Sequence, residues 1–183
     1  MTKKIKTEKA KIRKFKIYLV GERVFSNLQA AFALFQSSRI GELKEGKIFY
    51  SFFETAYLLD SKKADLYFKD KKLSLSKFFE KAQDKDKNFD TKYAVFKDMK
   101  SRGYVVKTAL KFGAEFRVYD KGVKPGEEHA KWILYPVHES NVLTWHDFAA
   151  KNRVAHSTKK NLLIGIVDDE NEVTYYEISW IRP

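Results

Sequence analysis

The run LLIGIVD, Leu162 to Asp168, constrains the fold more than any other segment. A strand with one wet face alternates apolar and polar residues, and this run does not alternate, so both of its faces must be covered. The chain around it supplies covers. Asp90 or Thr91 can cap a helix carrying Tyr93, Val95, Phe96 and Met99 and ended by Gly103. Thr144 with Asp147 opens a second capped helix, TWHDFAAKNRVAHS. Strand-like segments lie at 104–108 (YVVKT), 115–120 (EFRVYD) and 131–137 (KWILYPV). Asp169, Glu170 and Asn171 turn the chain into 172–180, EVTYYEISW, a hairpin partner for the buried run. Helix, strands, helix, strands gives an α/β or α+β unit with a mixed sheet.

The first half has its own pattern. Ile17 and Leu19 before Gly21 suggest a strand and turn, and Gly41 and Gly46 punctuate another; residues 16–50 read as short strands and turns. Ser51 and Glu54 form a capping box ahead of the apolar residues of SFFETAYLL. A strand, ADLYF, follows at 64–68, then a Lys-rich turn, KDKK, and a helix near 74–83. The stretch 83–88 has no apolar side chain and is the expected boundary, giving an N-terminal domain at 1–88 and a C-terminal domain at 89–183. The fold class expected is α+β.

Length and composition exclude several classes. At 183 residues the chain can bury a real core, and 15 Phe and 10 Tyr supply it. Cysteine is absent, so no disulfide framework forms and no thiolate acts as ligand or nucleophile. No run approaches the length of a membrane span, and the first twenty residues lack an apolar core and a cleavage site; a cytoplasmic protein without membrane contact is expected. The net charge is +12, and eight of the 36 basic residues fall within 1–16 against one acid, Glu8. A surface of this sign attracts phosphate backbones. The arm reads equally as an RNA contact or as a solvated terminus.

Phosphate-cradling and zinc-protease signatures are missing. His129, His138, His146 and His156 are too widely spaced for a helical metal pair, and no metal or other cofactor is expected. What remains is Tyr, His, Lys and Arg. That set suits RNA, which carries its own nucleophile, the 2′-hydroxyl. Cleavage then needs a base at that hydroxyl, an acid at the leaving 5′-oxygen and a cation at the phosphate. Imidazolium serves as the acid, with an ordinary pKa near ~6.5. A tyrosine, at ~10, serves as base only beside a cation.

From Tyr93 to the C-terminus the residues carry a resemblance. The runs YAVFKDMKSRGYVVKTALKFGAEFRVYDKG, EEHA and RVAHSTKKNLLIGIVDDENEVTYYEISWIRP resemble the catalytic subunit of archaeal tRNA-intron (splicing) endonucleases. The first half fits that family's N-terminal domain more loosely. The resemblance implies a restriction-endonuclease-like C-terminal domain and metal-independent cleavage of precursor tRNA at bulge-helix-bulge junctions, leaving 2′,3′-cyclic phosphate and 5′-hydroxyl ends. It implies Tyr119 as general base, His129 as general acid and Lys160, beside the also basic Lys159, as the cation. Arg153 and Trp180 correspond to residues that hold a flipped bulge base. His156 receives no role.

The same resemblance implies a tetramer, of four equal subunits or of two pairs with a second endonuclease subunit. Asp168, Asp169 and Glu170 resemble a loop inserted into a basic groove of an opposite subunit, where opposite charge sets the register. The last strand, apolar on both alternations, invites pairing across a two-fold axis. Two rival readings are a non-catalytic structural or RNA-binding subunit of the same assembly, and a magnesium-dependent DNA nuclease.

Overall fold

The computed structural model describes residues 13–109, 114–123, 125–126 and 128–181. Residues 1–12, most of the expected basic arm, lie outside this range. Two sheets organise the chain. The first contains β1 (Phe15–Val20), β2 (Arg23–Ser26), β3 (Glu42–Lys44), β4 (Lys47–Tyr50), β5 (Ala64–Phe68) and β6 (Lys71–Leu73). Its order is β3-β4-β2-β1-β5-β6, with β1 and β5 parallel and the other pairs antiparallel. Helices α1 (Gln29–Ser38), α2 (Phe52–Asp60) and α3 (Leu75–Lys85) accompany it. Their apolar faces close a core with Ile17, Val24, Ile48 and Leu66 from the strands.

The second sheet contains β7 (Val105–Thr108), β8 (Phe116–Tyr119), β9 (Trp132–His138), β10 (Asn161–Val167) and β11 (Val173–Ile178), in the order β11-β10-β9-β8-β7. β9 and β10 are parallel, and the remaining pairs are antiparallel, so the sheet is mixed. α4 (Phe89–Ser101) covers one face through Val95, Phe96 and Met99. α5 (Trp145–Ser157) covers the other, where Ala155 and Phe148 meet Ile133, Leu162 and Ile164. The unalternating run is thus β10, buried on both faces between two helices. Gly165 is where α4 comes closest: a Cβ there would stand 3.1 Å from Val95. The fold is α+β, as the sequence pattern predicts.

Both capping motifs form. Ser51 Oγ accepts from the Glu54 N–H, and Glu54 Oε2 accepts from the Ser51 N–H. Thr144 Oγ1 accepts from the Asp147 N–H at the start of α5. Four expectations need correction. Neither Asp90 nor Thr91 caps α4: both lie inside it, and its N-cap is Asn88, which makes no side-chain cap hydrogen bond. Residues 29–38 are helix α1, not part of a strand-and-turn region; its N-cap is Leu28, which offers no side-chain oxygen, so the usual start signal is absent. The KDKK segment is the tip of a hairpin, with Lys71–Leu73 pairing on β5. Gln83, Asp84 and Lys85 form the last turn of α3 rather than a linker.

One carboxylate reaches a strand of the second sheet, and another, Asp60, accepts from Tyr93 and Lys97 of α4. Beyond its capping bond, Glu54 Oε1 accepts from the Gly41 N–H at 2.8 Å and from Lys107 Nζ of β7 at 2.7 Å. Lys107 Nζ also donates to the Gly41 carbonyl at 2.6 Å. Gly41 has φ +91°, and a Cβ there would meet Ile48 at 2.4 Å, so only glycine brings this backbone in. Phe53 adds an apolar joint, stacking on Phe89 at 4.9 Å and meeting Phe116 of β8 edge-on at 5.0 Å. Nearby Lys100 is so enclosed that burial pulls its pKa down to about 8. Removing one member of a buried ion pair leaves the other charge uncompensated. Glu54→Gln is therefore expected to cost about 3–5 kcal/mol of unfolding free energy, read as the shift in a denaturant midpoint. A loss below about 1 kcal/mol would show that Lys107 finds other solvation.

Candidate active site

β8 sets the geometry. Alternation along it sends Phe116 and Val118 into the α4-side core and places Arg117 and Tyr119 on the opposite face. Tyr119 is only 4% exposed and packs with Val105, Ala130 and Val123. The loop after β8 leaves through a turn in which the Val123 N–H donates to Asp120 O. It returns with the Lys131 N–H donating to Val118 O at 2.9 Å. Ala130, buried, anchors that return and leaves His129 exposed one residue earlier. The third element is the junction between α5 and β10. Lys159 takes a left-handed conformation, φ 54°, reversing the chain, and the Lys160 N–H donates to Ala155 O. Lys160 then stands at the entrance to β10 with its Nζ donating to Thr158 O at 2.6 Å.

These three excursions converge. A cavity of about 380 Å³ is lined by Arg117, Tyr119, Gly126, Glu128, His129, Ala130 and Lys160. A phenol, an imidazole and an ammonium from distant chain positions thus share one cleft. Lys160, not Lys159, reaches it. Burial, with the neighbouring Arg117 guanidinium second, holds the Lys160 pKa below the ordinary lysine value. Arg117 had no place in the sequence reading. Its position two residues before Tyr119 on a strand was the signal, because i and i+2 share a face.

A second cavity, about 500 Å³, adjoins the first through Lys160 and is also lined by Asn152, His156 and Trp180. Trp180 is 51% exposed, and its indole meets the His156 ring edge-on at 4.3 Å. Arg153 is exposed on α5, three residues before His156 and so on the neighbouring turn. The sequence left His156 without a role; here it buttresses the indole. Asp168, Asp169 and Glu170 lie at the far end of β10, in its turn to β11. Asp168 Oδ1 accepts from the Glu170 and Glu172 N–H groups, while Asp169 and Glu170 project into solvent. His138 Nε2 stands 3.5 Å from Asp169. Among the described residues, no three His, Asp or Glu side chains gather as a metal site would require.

Fold and cleft together define an α+β protein with a small cleft at a strand end of its second sheet, lined by a phenol, an imidazole, a carboxylate and two cations. Comparison with known proteins narrows this class. Residues 15–79 match the family model for the tRNA intron endonuclease N-terminal domain, and residues 89–175 match that for the tRNA intron endonuclease catalytic C-terminal domain. The chain is 42% identical over 166 residues to a tRNA-splicing endonuclease of Pyrococcus abyssi, covering 90% of this chain and 95% of that protein. It is 42% identical over 166 residues to the tRNA-splicing endonuclease of Thermococcus kodakarensis, with 90% and 97% covered. With the Nanoarchaeum equitans tRNA-splicing endonuclease the identity is 47% over 136 residues, 71% of this chain and 87% of that one. The chain belongs to the tRNA intron endonuclease family.

The coupling between the two cations in the cleft is measurable. Arg117→Gln removes a like charge, so the Lys160 pKa should move up, toward the ordinary lysine value. An NMR titration of the Lys160 side chain reads this shift. An unchanged titration would mean that burial alone sets it.

Proposed function

We propose that this tRNA-splicing endonuclease cuts precursor tRNA at bulge-helix-bulge intron junctions, with the RNA's own 2′-hydroxyl as nucleophile and no metal in the step. Tyr119 takes the proton from the 2′-hydroxyl as its oxygen attacks phosphorus. The P–O5′ bond breaks, and His129 as imidazolium gives its proton to the departing 5′-oxygen. The ends left are a 2′,3′-cyclic phosphate and a 5′-hydroxyl. Lys160 faces the non-bridging oxygens, where negative charge builds in the transition state. The observation that supports this reading is the shared cleft of about 380 Å³, whose lining includes the Tyr119 phenol, the His129 imidazole and the Lys160 ammonium.

Substrate positioning follows from the adjoining cavity. Trp180, on the wall of that cavity, offers an indole face, and Arg153, exposed on α5 but outside the cavity's lining, offers a guanidinium plane; both groups stack on bases. Because Lys160 lines both cavities, a base held there sets its phosphate beside the cleft.

Two cuts per intron call for more than one subunit, and the proposed assembly is a tetramer, homomeric or with a second endonuclease subunit. The acidic turn Asp168–Glu170 fits a cationic groove on another copy. A cavity of about 540 Å³ between the two sheets has Arg39, Lys107 and Arg117 on its wall, together with Glu42 and with Glu54, which already pairs with Lys107. Tyr50 lines it with a buried hydroxyl that finds no hydrogen-bond partner among the described residues, so an inserted carboxylate would meet a waiting donor. β11, the edge of its sheet, presents Tyr176 outward for pairing across a two-fold axis.

The test is cleavage of a bulge-helix-bulge RNA with EDTA present. Wild type should remain active. His129→Ala should lose roughly 10²–10⁴-fold in the chemical step, and Lys160→Ala roughly 10²–10³-fold. Both should keep the wild-type melting profile, since neither side chain belongs to a buried core. A folded His129→Ala protein cleaving at the wild-type rate would remove the proposed acid.

A further inference from the structure

The solvent side of the first sheet carries a feature that the catalytic reading does not use. Strand alternation sends Ile17, Val24, Ile48 and Leu66 into the core and turns Tyr18, Phe25, Phe49 and Tyr67 to the opposite face. These four come from β1, β2, β4 and β5, and the pairing registers set them side by side: Tyr67 opposite Tyr18, Tyr18 opposite Phe25, and Phe25 opposite Phe49. The result is one aromatic row running straight across four adjacent strands. Successive ring centroids are 6.1, 6.5 and 5.7 Å apart. None of the four rings belongs to the buried cluster beneath the sheet. Among the described residues, no helix lays its apolar face over them.

Cations rim the row. Lys16 Nζ stands 5.1 Å from the Tyr67 ring centre, and Lys47 Nζ stands 4.8 Å from that of Phe25. Lys72, directly opposite Tyr67 on β6, extends the row at one edge, where it is ion-paired with Asp65 at 2.7 Å. Arg23, two residues before Phe25 on the same strand, shares its face and is exposed. An aromatic row alone would be sheet packing. Rings in a row, with ammonium groups over two of them and carboxylates only at its ends, at Asp65 and Glu42, match a ligand that is flat and carries negative charge beside its flat groups.

We propose that this face is a second RNA-binding surface, which stacks unpaired bases of the substrate while the rim cations take the adjoining phosphates. The choice of RNA rests on the reading of the cleft as an RNA-cleaving site. Unpaired rather than duplex RNA follows from the spacing. Steps of about 6 Å between rings exceed the ~3.4 Å rise per nucleotide of a stacked strand. The row therefore receives splayed bases one per ring, and a duplex cannot offer them.

The experiment is direct binding of a short oligouridine to the full chain, beside an RNA hairpin of the same length. Binding is read by fluorescence anisotropy across a salt series. Removing two rings, Tyr18→Ser with Tyr67→Ser, should weaken oligouridine binding at least about tenfold. Tyr18→Phe with Tyr67→Phe keeps both rings and should bind as wild type does. If the serine pair fails to fold, Lys16→Gln with Lys47→Gln decides, because both side chains lie outside the core; weaker binding with a shallower salt dependence is expected. Wild-type affinity in a folded serine variant, or an unchanged salt slope in the lysine variant, would overturn the proposal. So would an equal loss for the hairpin, which would assign the face to backbone contact without base stacking. The readout involves no cleavage, so its failure is separable from that of the mechanism proposed for the cleft.

Discussion

The Glu54 carboxylate is the constraint on which the arrangement of the two sheets depends. It closes the capping box of α2, holds the Gly41 backbone, and receives Lys107 from the second sheet. Three donors and a full countercharge are what a buried carboxylate requires. β7, which carries Lys107, pairs directly with β8, which carries Arg117 and Tyr119. In that register Lys107 sits opposite Arg117. The domain joint is therefore one strand away from the wall on which the phenol stands.

Arg117 and Lys160 give the cleft its electrostatic character. Arg117 lines both the interdomain cavity and the small cleft, and Lys160 lines both the cleft and the cavity beside Trp180. Three concavities are thus joined by two cations. The ammonium pays for its enclosure in proton affinity, since burial and the guanidinium both hold its pKa down. An arriving phosphate would reverse that effect, because an anion beside the ammonium favours its charged form.

Much of this was legible in the chain. An unalternating apolar run demanded covers on both faces, and α4 and α5 supply them. Ser51 with Glu54 and Thr144 with Asp147 announced two helices, because a capping oxygen three residues from its partner is a local signal. α1 escaped because Leu28 offers no such oxygen. The hairpin at Lys71 escaped because charge on a short edge strand resembles a turn. Glu54 was readable as a cap but not as an interdomain tie, since Lys107 lies 53 residues away. Tyr119, His129 and Lys160 were picked out by resemblance, whereas Arg117 needed the strand face to be known. The aromatic row was invisible for a related reason: its members are neighbours only through pairings between strands far apart in sequence.

In the proposed mechanism the ribose cuts its own strand while Tyr119, His129 and Lys160 move the protons and steady the charge. The most direct measurement uses a bulge-helix-bulge RNA with a single 2′-deoxy nucleotide at one junction, with the product ends identified by mass spectrometry. The substituted junction should stay intact while the unmodified one is cut, leaving a 2′,3′-cyclic phosphate. Cleavage at the deoxy junction would contradict it.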